Sequence, residues 1–407
     1  MNPVPTGPDS IDSELARLVD REVARRAQTL QLVAGETVAT PAVRQILAST
    51  LTDTYAEGYP GARYHGGCEV VDEIEELALA RAADLFGAEY VNVQPVSGTA
   101  AASAVYAAFA QPGDPVLSLR LDHGGHQTHG SRANLSGRWF TPIRYAVSES
   151  DELIDYDQIR ELALVHRPRL LIAGSPTYSR LFDFPTLRAI ADEAECILWV
   201  DAAHLGGLVA GGAAPSPVPY ADVVTLVTHK VIRGPRGGVL LGAAEHRAAL
   251  QKAVFPFIQG APSMNVIAAK AAAFAEAGAP WFAEHVAAVV ANARALAEAL
   301  TDRGLRIVSG GTDTHLAVVD VSALDLSGHQ AQRRLQEAGI VVDKSVLPFD
   351  RRPVAEGSAV RIGTPIATLA GAGADTMVQI ADWIVTALTD PGKHARIRAA
   401  VTEMLAG

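Results

Sequence analysis

Ala221-Asp222-Val223-Val224-Thr225-Leu226-Val227-Thr228-His229-Lys230, followed after Val231 and Ile232 by Arg233-Gly234-Pro235-Arg236-Gly237-Gly238, is the stretch that decides how this chain reads. An apolar, β-branched run of strand length ends on Thr-His-Lys and gives way to a loop rich in Gly and Arg. A lysine just past a strand, with a glycine loop behind it, looks like the lysine that holds pyridoxal phosphate. Upstream, Cys196-Ile197-Leu198-Trp199-Val200 forms a second apolar strand that ends on Asp201-Ala202-Ala203-His204. Its carboxylate is placed to pair with a protonated pyridine nitrogen.

Working outward, short apolar runs alternate with helical stretches from about Ala39 to Gly242. The strand candidates are Tyr90–Val93, Pro115–Leu119, Leu170–Ala173, Ile197–Val200, Val223–Val227 and Gly238–Leu241. That alternation predicts an α/β fold with a largely parallel sheet covered on both faces, and it puts chemistry at the carboxyl ends of the strands. Ile11 to Leu32 has apolar residues at helical spacing among Arg and Glu and reads as an amphipathic arm lying on a neighbour. An Ala-rich helical region, Asn265 to Arg303, should form the hinge to a smaller α+β lobe. That lobe would hold Leu305–Val308, Thr314–Val321, a helix near Gln330–Ala338, Val360–Gly363 and a final helical pair. The expected division is an arm over 1–38, a large domain over 39–275 and a small domain over 276–407.

A chain of 407 residues exceeds what one core usually organises, in keeping with two lobes. A net charge of -11 without a long basic run argues against a nucleic-acid partner. The two cysteines, Cys68 and Cys196, fall on different elements, which points to packed thiols in a reducing cytoplasm. Residues Met1 to Asp12 are polar and proline-bearing rather than an apolar signal, and no apolar run is long enough to span a membrane. A cytoplasmic protein is expected.

Pyridoxal phosphate asks a protein for an amine, a carboxylate at the pyridine nitrogen, a phosphate cup, a stacking partner and a clamp for the substrate carboxylate. Lys230 is the amine, with cationic neighbours His229, Arg233 and Arg236 expected to lower its pKa. Asp201 is the pyridine partner. Ser97-Gly98-Thr99, between a strand and an Ala-rich helix, offers backbone N–H groups and a helix N-terminus to a phosphate. Arg361 suits a bidentate grip on a carboxylate. In Asp122-His123-Gly124-Gly125-His126-Gln127-Thr128-His129, the glycines favour a loop that approaches a flat ligand, with His126 stacking on the ring. The three histidines and the aspartate of that segment are also zinc-ligand types, so metal is a rival reading; the preferred one has no metal. The irregular segment Tyr55 to Glu69 bunches Tyr, Glu and His too densely for a mere turn. Glu57 is its candidate acid/base for a substrate hydroxyl.

Six motifs together resemble serine hydroxymethyltransferase, a fold-type I pyridoxal-phosphate family. They are Tyr55-Ala56-Glu57-Gly58-Tyr59-Pro60-Gly61, His123-Gly124-Gly125-His126, Val200-Asp201-Ala202-Ala203-His204, Thr228-His229-Lys230, Gly234-Pro235-Arg236-Gly237-Gly238 and Arg361-Ile362-Gly363-Thr364-Pro365. The resemblance runs from about Leu32 to Leu388. It implies a mainly parallel seven-stranded sheet in the large domain, and a homodimer or dimer of dimers. It implies that Tyr55, Glu57, Tyr64 and His65 reach into the neighbouring subunit's site, and that His204, His229 and Gly260 join the cofactor contacts. The implied chemistry is retro-aldol: Cα–Cβ cleavage of a β-hydroxy amino acid leaves a glycine quinonoid that can take up another aldehyde.

Departures from the family pattern gather around the expected folate site. Where the family has Tyr-Tyr-Gly-Gly this chain has Tyr64-His65-Gly66-Gly67, and Ala-Ser-Glu-Asn has become Ala34-Gly35-Glu36-Thr37. A leucine of the apolar wall is Gln127, Asn-Lys-Asn reads Asp343-Lys344-Ser345, a serine near the ring oxygen is Pro176, and the asparagine after the cup is Ala102. The Gly-rich loop has become Phe257-Ile258-Gln259-Gly260-Ala261-Pro262. Each buried hydrogen bond lost to a pterin costs about 1 to 3 kcal/mol, so several would weaken folate binding by orders of magnitude. The expected activity is therefore a folate-independent, threonine-type transaldolation between an amino-acid substrate and an aldehyde acceptor in specialised metabolism. The alternative is a folate-dependent hydroxymethyltransferase acting on serine and glycine, or on α-methylserine and D-alanine.

Overall fold

The computed structural model describes residues 12–406, so the polar tail expected over the first residues lies, apart from Asp12, outside the described part. Its centre is a seven-stranded sheet in the order Tyr90–Asn92, Gly238–Gly242, Val223–Val227, Ile197–Asp201, Leu170–Ala173, Pro115–Leu119, Thr141–Tyr145. All neighbours run parallel except Gly238–Gly242, which is antiparallel to both strands beside it. The inner strands are buried on both faces, and the apolar runs in the sequence reflect this: Val223–Val227 and Leu170–Ala173 are buried at every position. One hydrophobic cluster packs Ala78, Phe86, Leu187 and Phe274 against one face, and a second packs Ala101, Val105, Phe109 and Trp199 against the other.

Six of the seven strands stand where the apolar runs place them, within a residue or two at their ends. The seventh, Thr141-Pro142-Ile143-Arg144-Tyr145, escapes the pattern because it is an edge strand, partly solvated and carrying a proline that only an edge tolerates. Its Arg144 reaches inward, where the guanidinium holds the carbonyls of His129 and Gly130 and donates to Ser118 Oγ at 2.6 Å. This pins the histidine loop to the sheet.

The Ala-rich region is two helices rather than one. Met264–Ala277 ends at Gly278, and Pro280 opens the helix Pro280–Asp302 at a position where its missing N–H costs nothing. The second helix bridges two cores: Phe282 and Val286 pack with the large sheet, whereas Leu296 and Leu300 pack with a separate cluster around Val319, Val360 and Ile384. In that second region a three-stranded antiparallel sheet runs in the order Leu316–Asp320, Ala359–Gly363, Asp343–Ser345. Helices Gly328–Glu337, Ala374–Thr389 and His394–Ala406 accompany it. Leu305–Val308 does not form the expected strand; it makes a single bridge, Ile307 to Val319.

The helix Ser13–Ala27, capped by Asp12 accepting from Glu14 and Leu15 N–H, buries no residue within the chain, and Leu15, Leu18, Val19 and Val23 face outward. Leu30–Gln31 beyond it is buried and pairs in parallel with Ile340–Val341. No described helix is long and apolar enough to cross a membrane.

Candidate active site

At the carboxyl ends of the parallel strands lies a cavity of ≈ 300 Å³ lined by Ser97, Gly98, His126, Asp201, His204 and Lys230 among others. Thr99, His229 and Arg236 also reach it. Strand ends supply Asp201 and Lys230, and loops leaving neighbouring strands supply the rest. Gly174 is required for this convergence. It holds φ +139° where the chain leaves its strand, and a Cβ there would stand 2.3 Å from the Asp201 carbonyl.

Lys230 is held at a pKa of about 8. Burial in the cavity wall is the main cause, followed by the upward pull of Asp201 and the downward push of Arg361 and Arg236. This corrects the sequence expectation, in which neighbouring cations led. Arg233 is turned away, donating to the Val38 carbonyl at 3.0 Å and lying 5.4 Å over the Trp281 ring. Burial pushes the Asp201 carboxyl up, but the hydrogen bond and charge of His129 outweigh it and hold the group at about 2. His129 Nε2 stands 3.0 Å from Asp201 Oδ2, and the Ala203 N–H donates to the other oxygen at 3.0 Å. In the sequence His129 stands out only as one of the rival zinc-ligand types. Its partnership with Asp201 spans 72 positions of sequence and needed the fold to become visible.

His126 Nδ1 lies 2.7 Å from Thr128 Oγ1 and 3.3 Å from the Thr128 backbone nitrogen. Burial pushes its pKa down to about 4, leaving a neutral ring at neutral pH. Ser97 caps the helix Gly98–Phe109 by accepting from Ala100 N–H at 3.0 Å. A Cβ on Gly98 would lie 2.7 Å from Val227, so the helix start sits hard against the strand that leads to Lys230. The Ser97-Gly98-Thr99 cup is thus the first turn of that helix, with its N-terminus open to the cavity. His204 stacks parallel to His315 at 5.4 Å, with His204 Nδ1 3.3 Å from His315 Nε2. His315 was not singled out from sequence, because a lone histidine before an apolar strand carries no signal there.

Arg361 lies within electrostatic reach of Lys230 and is not free. Its Nε and Nη2 donate to Asp343 Oδ2 at 3.2 and 2.5 Å, and Nη1 donates to the Pro176 carbonyl at 2.7 Å. Asp343 and Arg361 are cross-strand partners in the antiparallel register.

Tyr55, Glu57, Tyr64 and His65 stand apart from this cavity in their own chain. Glu57 Oε2 lies 3.4 Å from His65 Nε2, Tyr55 packs edge-on against His65 at 4.8 Å, and Tyr55 and Tyr64 are 60% and 74% exposed. Gly260 belongs with them: a Cβ on it would meet Glu57 Oε1 at 3.2 Å, and it does not line the cavity. The zinc set read from Asp122 to His129 does not assemble either: Asp122 pairs with Arg120, and His123 packs on Phe349. A different trio, His126, His129 and Asp201, brings ligand atoms within 4.8 Å of one another, and within it His129 and Asp201 are hydrogen-bonded at 3.0 Å.

The residues present fit pyridoxal phosphate. A buried amine of lowered pKa, an ionised carboxylate, a neutral flat imidazole and an open helix N-terminus face one cavity, and His229 Nδ1 is a buried polar atom there without a partner among the described residues. A family profile described as serine hydroxymethyltransferase matches residues 9–384. The chain is 48% identical over 396 residues to a serine hydroxymethyltransferase of Koribacter versatilis, covering 97% of this chain and 93% of that one. It is 48% identical over 388 residues to serine hydroxymethyltransferase 1 of Pseudomonas fluorescens, covering 95% and 94%. It is 50% identical over 360 residues to the enzyme of that name from Coprothermobacter proteolyticus, covering 88% and 87%. With its mainly parallel seven-stranded sheet and its lysine cavity, the chain belongs to the serine hydroxymethyltransferase family of pyridoxal-phosphate-dependent transferases.

Proposed function

We propose that this enzyme makes and breaks the Cα–Cβ bond of β-hydroxy-α-amino acids and passes the carbon skeleton to an aldehyde acceptor without folate, as a threonine-type transaldolase. When bound, pyridoxal phosphate supplies an electron sink for charge developing at Cα. Lys230 would hold it through Nζ, Asp201 would keep its ring nitrogen protonated, His126 would lie on its face, and the first turn of Gly98–Phe109 with Ser97 and Thr99 would take its phosphate. His204 and His229 complete the walls. Arg361 would receive the substrate carboxylate on the two N–H groups that Asp343 and Pro176 leave open.

The observation that carries this reading is the Glu57–His65 pair at 3.4 Å. A carboxylate and an imidazole side by side can take a proton from a substrate hydroxyl and return it, which is the proton traffic aldol cleavage requires. His65 is exposed and Glu57 half-buried, and both lie outside the cavity of their own chain, which suits delivery to a second subunit of a homodimer, with Tyr55 and Tyr64 beside them. Against folate stand Gln127, exposed where the resemblance puts an apolar wall, and Ser345 in place of an asparagine.

A second reading, folate-dependent hydroxymethyl transfer to glycine or to an α-substituted amino acid, is favoured by the names of the relatives. Those relatives are named serine hydroxymethyltransferases and are 48% identical to this chain. Titrating the holoenzyme with threonine, serine, glycine and D-alanine, with and without tetrahydrofolate, separates the two by visible absorbance. Threonine alone should raise a strong long-wavelength band. A band that needs glycine or D-alanine together with tetrahydrofolate would overturn the transaldolase and install the hydroxymethyltransferase.

A further inference from the structure

We infer that Asp343 determines specificity by setting the charge of the substrate clamp. Arg361 carries five N–H donors. Asp343 Oδ2 takes the one on Nε and one on Nη2, and the Pro176 carbonyl takes one on Nη1. One donor on each terminal nitrogen remains, enough for a bidentate contact, but the fork is already paired with an anion.

The pairing is built into the fold. Asp343 and Arg361 face each other in register on the antiparallel strands Asp343–Ser345 and Ala359–Gly363, where directly opposed side chains meet. Arg361 is 15% and Asp343 32% exposed, so the pair is only partly screened by water. An incoming α-carboxylate therefore meets a clamp of zero net charge, with a like charge a few ångströms behind the guanidinium. A neutral carboxamide meets the same donors without that repulsion. Asp343 thus lowers affinity for simple amino-acid carboxylates and narrows the preference for carboxylate over carboxamide at the Cα substituent. This deepens the assignment of Arg361 as carboxylate clamp and rests on it; it holds for either acceptor.

The test is equilibrium binding of glycine and of glycinamide to holoenzyme, followed by the change in its visible spectrum and by calorimetry, in the wild type, Asp343→Asn, Asp343→Ser and Arg361→Lys. In Asp343→Asn the glycine Kd should fall by about tenfold or more, the scale expected when a unit charge a few ångströms from a bound carboxylate is removed in a partly shielded site. The glycinamide Kd should move by less than about twofold, since no charge is involved. Asp343→Ser should act in the same direction and covers the case in which the asparagine variant folds poorly. Arg361→Lys should weaken glycine and erase its advantage over glycinamide. If Arg361→Lys weakens glycine while both Asp343 variants leave glycine binding unchanged or weaker, Asp343 only props the arginine and the inference fails with the clamp intact. If Arg361→Lys leaves both ligands untouched, the clamp assignment falls and takes the inference with it.

Discussion

Lys230 shows how far single residues carry the argument. A lysine after a strand was readable from sequence, but the cause of its reactivity was not: desolvation by the fold lowers its pKa to about 8, more than its charged neighbours do. Because the neutral amine gains as pH rises, carbamoylation of Lys230 by cyanate in the apoenzyme should rise with a midpoint near pH 8, well below the 10.5 of an ordinary lysine. Asp201 attracts the proton and Arg236 repels it. Asp201→Asn should therefore move the midpoint down and Arg236→Ala should move it up, read by mass spectrometry of the Lys230 peptide across pH. Midpoints near 10 throughout would refute the desolvated site. The sequence also names Asp201, His126 and Arg361 as functional, since each belongs to a recognisable motif. His129, His315 and Asp343 stayed hidden because their significance lies in partners 72, 111 and 18 positions away, which only strand order and register bring together.

Among the elements, the hairpin Gly58–Tyr59 with Ala62–Arg63 is the one whose support the sequence did not announce. Arg63 carries no distinguishing signal within the irregular segment Tyr55 to Glu69. It is buried, donating to the Ala56 and Gly58 carbonyls at 2.9 and 2.8 Å, to Asp72 at 2.8 Å and to Glu75 at 2.6 Å. Glu75 lies on the helix Glu69–Phe86, is 1% exposed, and is further bound by Gln94 Nε2 at 2.8 Å. Arg63 therefore staples to a rigid helix the segment that bears Glu57, Tyr64 and His65. Arg63→Ala would strand a buried carboxylate and should cost about 3 to 5 kcal/mol in urea unfolding, with part recovered by adding Glu75→Gln. A loss under about 1 kcal/mol would show that water reaches Glu75 and that the staple is an ordinary surface pair. The elements of the large sheet were legible for the opposite reason. Strands buried on both faces leave unbroken apolar runs, whereas the solvated edge Thr141–Tyr145 and the bend at Gly278-Ala279 break the pattern locally.

For the whole molecule, one chain holds two clusters of polar side chains that do not meet. The cavity with Lys230 and the patch with Tyr55, Glu57, Tyr64 and His65 are separate, and the helix Ser13–Ala27 presents Leu15, Leu18, Val19 and Val23 outward without burying a residue. In a single chain the Glu57–His65 pair lies outside the lysine cavity and an apolar helix face is wet. A symmetric dimer resolves both, since a two-fold axis that brings one patch to the other cavity does so twice. This predicts complementation between two dead variants. Lys230→Ala keeps Glu57, and Glu57→Ala keeps Lys230, so neither homodimer has a complete site. If Glu57 serves its partner, a hybrid dimer has one complete site, made from the lysine of one protomer and the glutamate of the other. Random re-pairing of equal amounts makes half the dimers hybrid, each with one site of two, so activity should return to about a quarter of the wild-type value. If Glu57 served its own chain, every site in the mixture would lack one of the two groups and activity would stay at the level of the separate variants. Co-expression of the two variants with distinct tags, purification of the doubly tagged hybrid and its turnover per dimer distinguish the cases, because the hybrid alone should then show about half the wild-type rate.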